Sequence, residues 1–141
     1  MIRESIPFGN AMKMKVAFSN AIAIDLTETK RMVWISGMMA FDEQDQLIGK
    51  GDMAAQTEQC LKNIQNALVQ LGGTMSDIVS VTVFVKDMSD LKQIHEVRLR
   101  YFSEPYPTST LVKISDFVNP DGLIEINAQA VIDRTVALQL D

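Results

Sequence analysis

Leu123-Ile124-Glu125-Ile126-Asn127-Ala128-Gln129-Ala130-Val131-Ile132-Asp133 alternates as a strand with two unlike faces. Ile124, Ile126, Ala128, Ala130 and Ile132 form an apolar face suited to a covering layer of helices. Leu123, Glu125, Asn127, Gln129 and Val131 form the other face, polar in its middle and apolar at its ends. A strand face turned to bulk water would carry more lysine and glutamate. Two readings follow: an ordinary wetted face, or a face covered by an oligomer partner or forming a pocket wall. Alternation alone leaves both open, because strand preferences depend on context.

Upstream, Ile78 to Lys86 is the clearest second strand. Val79, Val81, Val83 and Val85 point one way, and Ile78, Ser80, Thr82 and Phe84 the other. Val16 to Leu26 and Arg31 to Met39 read as strands of a hairpin around the polar turn Thr27-Glu28-Thr29-Lys30. Phe41 to Gly51 is turn-like apart from Leu47 and Ile48. Asp52 then caps a helix whose apolar stripe is Thr57, Cys60, Leu61, Ile64, Leu68 and Leu71, and Gly72-Gly73 stops it. A second helix, capped by Ser89, places Leu91, Ile94, Val97 and Tyr101 on one stripe and ends before Pro105 and Pro107. Thr110 to Ile114 is a short strand, and Asn119-Pro120-Asp121-Gly122 is a turn before the last one. The order β, β, α, β, α, β, β predicts an α/β fold of the α+β kind. It is a two-layer sandwich with a mixed sheet and two helices on one face, one domain over residues 1–141.

Composition narrows the function. The chain has 141 residues, 47% of them hydrophobic and 22% charged, with a net charge of −5. That acidity and the lack of a lysine and arginine cluster exclude a nucleic-acid footprint, since Met12-Lys13-Met14-Lys15 is too short for one. No apolar run approaches the ~20 residues of a membrane span, and no signal-peptide pattern opens the chain, so a cytoplasmic location is expected. One cysteine, Cys60, permits no intrachain disulfide and no cysteine metal pair. On the first helix's apolar stripe it reads as core.

The chemistry-bearing residues are few. His95 is the only histidine and shares a helix face with Leu91, Leu99 and Phe102, which suits a core edge or an interface as well as a site. No serine–histidine–aspartate order and no phosphate-cradling glycine loop is recognisable. Asp42, Glu43 and Asp45 lie in a turn without the spacing of a calcium loop. From the residues alone, the product is an α/β domain with no assigned reaction, its polar sheet face open to both readings, wetted surface or cleft wall.

Several segments together resemble the Rid family, also called the YjgF family of reactive-intermediate deaminases. They are Phe18-Ser19-Asn20-Ala21, Trp34-Ile35-Ser36-Gly37, Gln56 through Asn63 to Leu68 and Gly72, Val81 through Met88, Tyr101-Phe102, Pro107 and Ile124-Glu125-Ile126. The resemblance runs from about Val16 to Ile132. It implies a chorismate-mutase-like fold and a homotrimer with a central barrel, helices outside, and clefts between subunits. There the family hydrolyses enamines or imines derived from amino acids, without metal or organic cofactor. It also carries an endoribonuclease reading, which the acidic charge disfavours.

The family's site residues transfer poorly. Its Pro-x-Arg-Ser pattern reads Pro107-Thr108-Ser109-Thr110, placing Ser109 where a carboxylate-binding arginine stands. A tyrosine position reads Phe18, an asparagine on the second helix reads His95, and a glutamate of the last strand reads Asn127, while Glu125 and Ser36-Gly37 keep their places. A hydroxyl does not replace a bidentate guanidinium, and an amide is no general base. The resemblance therefore implies a divergent deaminase or hydrolase with Ser109, Glu125 and Asn127 as catalytic candidates. Phe18, Ser36, Gly37, Thr110 and His95 are the candidate substrate-binding residues. The alternative is a non-catalytic trimer binding a small metabolite or a protein. Standard imino-acid deamination is expected to be absent or weak.

Overall fold

The last strand of the sequence lies at the middle of the sheet. The computed structural model describes residues 3–9 and 12–134. Its strands are β1 (Arg3–Pro7), β2 (Ser19–Asp25), β3 (Lys30–Met38), β4 (Ile78–Val85), β5 (Thr108–Lys113) and β6 (Ile124–Asp133), with helices α1 (Met53–Gln70) and α2 (Leu91–Tyr101). The sheet order is β1-β2-β3-β6-β4-β5. Only β4 and β5 pair in parallel, joined through α2, so the sheet is mixed as expected.

The two faces of β6 behave as its alternation predicts. Ile124, Ile126, Ala128, Ala130 and Ile132 are all within 2% of full burial. They share the core with Val33, Val83 and Val85 of the sheet and with Cys60, Leu61, Ile64, Leu68, Ile94 and Val97 of the helices. α1 starts where Asp52 accepts a hydrogen bond from the Ala55 N–H at 3.0 Å. It ends at Gly72, whose φ of +91° takes the left-handed conformation, and the Gly73 N–H closes onto the Leu68 carbonyl. Buried Gln56 braces the loop ends: its Nε2 donates to the Gly49 and Asp121 carbonyls, and its Oε1 accepts from the Leu123 N–H.

Three details differ from expectation. β1 is an additional edge strand, paired antiparallel with β2; its sequence, Arg-Glu-Ser-Ile-Pro, lacks a hydrophobic alternation and carries the charge and proline that edges tolerate. In β4 the ladder shifts between Ile78 and Ser80, so Ile78 is buried while Val79 is 48% exposed and does not share a face with Val81. Ser89 does not cap α2. A 3₁₀ turn, Met88–Asp90, precedes the helix, and the Asp87 side chain caps that turn by accepting from the Ser89 N–H.

Arg31 is buried at the β1 side of the sheet. Its guanidinium donates to Asp25 at 2.6 Å, to Glu4 at 2.7 Å and to the Leu71 carbonyl at 3.1 Å, tying β1, β2 and the end of α1 together. The Arg31 hydrogen bond, opposed by burial and joined by Arg134, holds the Asp25 carboxyl down at about 2.

The uncovered face of the sheet is apolar at several points. One row runs across all six strands in register: Ser5, Ile22, Trp34, Gln129, Ser80 and Thr108. On that face Trp34, in this row, is 37% exposed and Val112, in another, 36%. Among the described residues, no helix is long and apolar enough to cross a membrane.

Candidate functional site

The residues singled out in the sequence fall into three places on one chain. The first is a cavity of about 590 Å³ whose lining includes Phe18, Asn20, Gly37, Asn63, Asn66 and Glu125. It forms where β3 loses register with β6, between Ile35 and Met38. Gly37 stands in that irregular step because Glu125 occupies the space of its missing side chain. A Cβ on Gly37 would sit 2.6 Å from the Glu125 Cδ and 2.8 Å from Oε2. Ser36 secures the same step, its Oγ donating to the Ser19 carbonyl at 2.6 Å. Phe18, 49% exposed, leans on Phe8 with ring centroids 4.7 Å apart. From α1, the Asn63 Nδ2 donates to the Met39 and Phe41 carbonyls at 3.0 and 2.8 Å, fixing the chain that leaves β3.

Glu125 is the titratable group of this cavity with a perturbed environment. Burial pushes its carboxyl above the usual carboxylate range. Among the described residues no cationic nitrogen lies within 4.0 Å of it. A carboxyl of this kind holds its proton to higher pH than an exposed one and suits proton transfer.

The second place is a smaller cavity, about 230 Å³, between α2 and the start of β5. His95, Arg98, Leu99, Phe102, Tyr106 and Ser109 are among its lining. Ser109 pairs with buried Val81, which sets it on the helix side of the sheet. The third place is the uncovered sheet face. Thr110 and Asn127 flank Thr82 there in one row, and the Asn127 Oδ1 accepts from the Thr82 N–H at 3.1 Å.

Within one chain, then, Phe18, Gly37 and Glu125 share a cavity with Ser36 beside it, and His95 and Ser109 share another. Asn127 and Thr110 lie on the sheet face. Arg98 and Asn63 line these cavities and were not singled out from the sequence. Arg98 is three residues after His95, a helical neighbour of the one histidine, and that spacing was the available signal. Cys60 is buried, and burial raises its thiol far above the reactive range. Among the described residues no group of three or more histidine, cysteine or carboxylate side chains is arranged to hold a metal.

Comparison with known proteins gives this geometry a context. The family model described as Endoribonuclease L-PSP matches residues 8–132. The 3-aminoacrylate deaminase RutC of Acinetobacter baylyi is 34% identical over 107 residues, 76% of this chain and 84% of the relative. A RutC family protein of Pyrococcus horikoshii is 36% identical over 129 residues, 92% of this chain and 98% of the relative. Among solved structures, a member of the YjgF/YER057c/UK114 family from Mycobacterium tuberculosis superposes with a TM-score of 0.79. It is 28% identical, and the match covers 93% of this chain and all of that one. The resemblance first read from Ser36-Gly37 and Ile124-Glu125-Ile126 thus extends over nearly the whole chain, which belongs to the Rid/YjgF family, the family also described as endoribonuclease L-PSP.

Proposed function

We propose that the chain hydrolyses a small imine or enamine in a cleft completed between subunits of a homotrimer. The carrying observation is the Glu125 carboxyl, seated on Gly37 at the wall of a cavity of about 590 Å³ and shifted by burial toward holding its proton to higher pH. An imine, R₂C=NH, takes up water at carbon; the nitrogen gains protons, the C–N bond breaks, and a carbonyl and ammonia leave. An enamine is first protonated at carbon to reach the same imine. Both steps ask for a group that gives and takes one proton near a positioned water, and little else. Glu125 fills that role, with Phe18 as an apolar wall. The deaminase named for the Acinetobacter baylyi relative supports this class of chemistry.

Ser109, His95 and Thr110 reach the same reaction only from a neighbouring protomer, since they lie away from Glu125 in the single chain. The apolar patches of the uncovered sheet face support that assembly. Position 109 offers a hydroxyl, so short-chain 2-imino acids are expected to turn over weakly.

The second reading, a trimer that binds a metabolite without turnover, is favoured by Asn127, whose amide oxygen is engaged by the Thr82 backbone. Ammonia release from freshly generated imines and enamines separates the two. Turnover that Glu125→Gln abolishes supports catalysis. Thermal stabilisation by ligands without any turnover supports binding alone.

A further inference from the structure

The Glu125 cavity carries charge of one sign. Among the described residues no lysine or arginine lines it, whereas Asp42, Glu43 and Asp45 stand in its lining with Glu125. Among the same residues none of the four has a cationic nitrogen within 4.0 Å. Asp42 also closes its own turn, its Oδ1 accepting from the Gln44 and Gln46 N–H groups at 2.9 and 3.0 Å. Lys13 and Lys15 line a different cavity, which shares only Phe8 and Phe18 with this one. A ligand carboxylate here would meet Glu125 with no countercharge among these walls. A cation meets carboxylates and aromatic rings, both of which attract it.

The rest of the lining is made of large apolar side chains. Phe8 and Phe18 are in tilted contact. Phe18, Met12 and Val118 are 49%, 37% and 73% exposed, and they reach one cavity from the β1–β2 and β5–β6 connections. Apolar side chains left to water around one mouth mark a surface that a ligand covers. A volume of about 590 Å³ accommodates a ligand with a ring, and a two- or three-carbon imine would leave most of it empty.

We propose that this cavity selects imines and enamines derived from amines, without a carboxylate and with an aromatic or bulky apolar substituent; the proposal rests on the hydrolase reading above and names its substrate class. The substituent packs against Phe8 and Phe18, and the protonated C=N group, a cation, lies against Glu125. The reaction is R–CH=NH₂⁺ + H₂O → R–CHO + NH₄⁺. Water adds at carbon as Glu125 takes one of its protons and returns it to nitrogen. The C–N electron pair then leaves with ammonia while the O–H pair forms C=O, and the hydroxyl proton passes through Glu125 to ammonia. Two-electron oxidation of a primary amine at its α-carbon is the class of reaction that supplies such a substrate, and an aldehyde-consuming reaction takes the product.

The test is calorimetric titration of the full-length protein with 2-phenylethylamine, with phenylalanine, which is the same amine with a carboxylate added, and with 3-phenylpropionate. The amine is expected to bind at least about tenfold more tightly than either carboxylate. Phe18→Ala should weaken it by roughly 2- to 12-fold, and Glu43→Lys should narrow its advantage over 3-phenylpropionate by at least about threefold. Both positions are exposed, so both variants should fold; a shift of the Glu125 carboxyl resonance when the amine is added to wild type locates the ligand independently. Equal or tighter binding of a carboxylate, no binding of the amine, an unmoved Glu125 resonance, or amine binding indifferent to Phe18→Ala or to Glu43→Lys overturns the proposal. Ammonia release from the imines made in place by oxidising 2-phenylethylamine and phenylalanine separates the two claims. The amine-derived imine should show the larger acceleration over its uncatalysed rate, by at least about tenfold. Amine binding of the expected pattern without turnover of either imine sinks the hydrolase reading and leaves the ligand class standing. Equal or greater acceleration of the phenylalanine-derived imine overturns the class and leaves the hydrolase reading standing.

Discussion

Gly37→Ala is the smallest change that disturbs the Glu125 carboxyl without touching it. The new Cβ would lie 2.6 Å from the Glu125 Cδ, 2.8 Å from Oε2 and 2.9 Å from Cγ. Ordinary contact between such atoms is about 3.5–4.0 Å, so the carboxyl has to move by roughly 1 Å. The obstructing atoms are the free end of a flexible side chain, and the backbone need not shift. The cost in stability is therefore expected near the low end of the overpacking range, about 1 kcal/mol. The cost to function is larger, because a displacement of roughly 1 Å lowers a positioned reaction by about a hundredfold. Moved toward water, the carboxyl should also titrate closer to the ordinary carboxylate range. Urea melts, ammonia-release rates and a ¹³C-detected titration of Glu125 measure the three effects. Combined with Glu125→Gln, the alanine should lower the rate no further, because both changes act through one group. A Gly37→Ala protein with parental rate and parental Glu125 titration would refute the idea that this glycine seats the catalytic carboxyl.

Other outcomes follow from the frame around the site. Asp25 ionises in the folded chain at about 2, below its ordinary 3.8, so its stabilising effect is complete above pH 4 and fades as pH falls toward 2. Urea melts of Asp25→Asn at pH 5 and pH 2.5 should lack this slope, and a slope equal to wild type would exclude Asp25 as its source. Gln56→Leu strips partners from two carbonyls and one N–H around a fully buried position. It should cost at least ~2 kcal/mol by urea denaturation. Trp34→Glu places a charge amid the uncovered sheet face; wild-type light scattering should give three times the 15.7 kDa monomer mass, and the variant should fall toward one.

Much of this molecule is legible in its sequence because β6 has unlike faces and α1 has a capped, stopped stripe. Those signals are local, and the burial of Ile124, Ile126, Ala128, Ala130 and Ile132 and of Cys60, Leu61, Ile64 and Leu68 follows from them. β1 is not legible, because its place depends on pairing with β2 and on the Glu4–Arg31 contact across 27 residues. Nor is the irregular step at Val79: an alternating valine run looks unbroken until the partner strand's register is known. The site divides the same way. Glu125 stands out as the one charge on the polar face of its strand before Asp133 at the strand end, and it is the group that burial perturbs. Arg98 looks like any helix-surface arginine until β5 closes the cavity in front of it. Ser109 stands where the resemblance leads one to expect an arginine, whereas the guanidinium that lines its cavity, Arg98, comes from a helix that no sequence pattern pairs with that strand.

The central claim is that the Glu125 carboxyl drives hydrolysis of an imine or enamine. The most direct measurement is the rate of ammonia release from freshly generated substrates, 3-aminoacrylate and short-chain 2-imino acids among them, by wild type and by Glu125→Gln. Acceleration of at least one enamine or imine by the wild type, lost in Glu125→Gln, with short-chain 2-imino acids slow, is the predicted result. No acceleration across the panel, or equal rates for the two proteins, would contradict it.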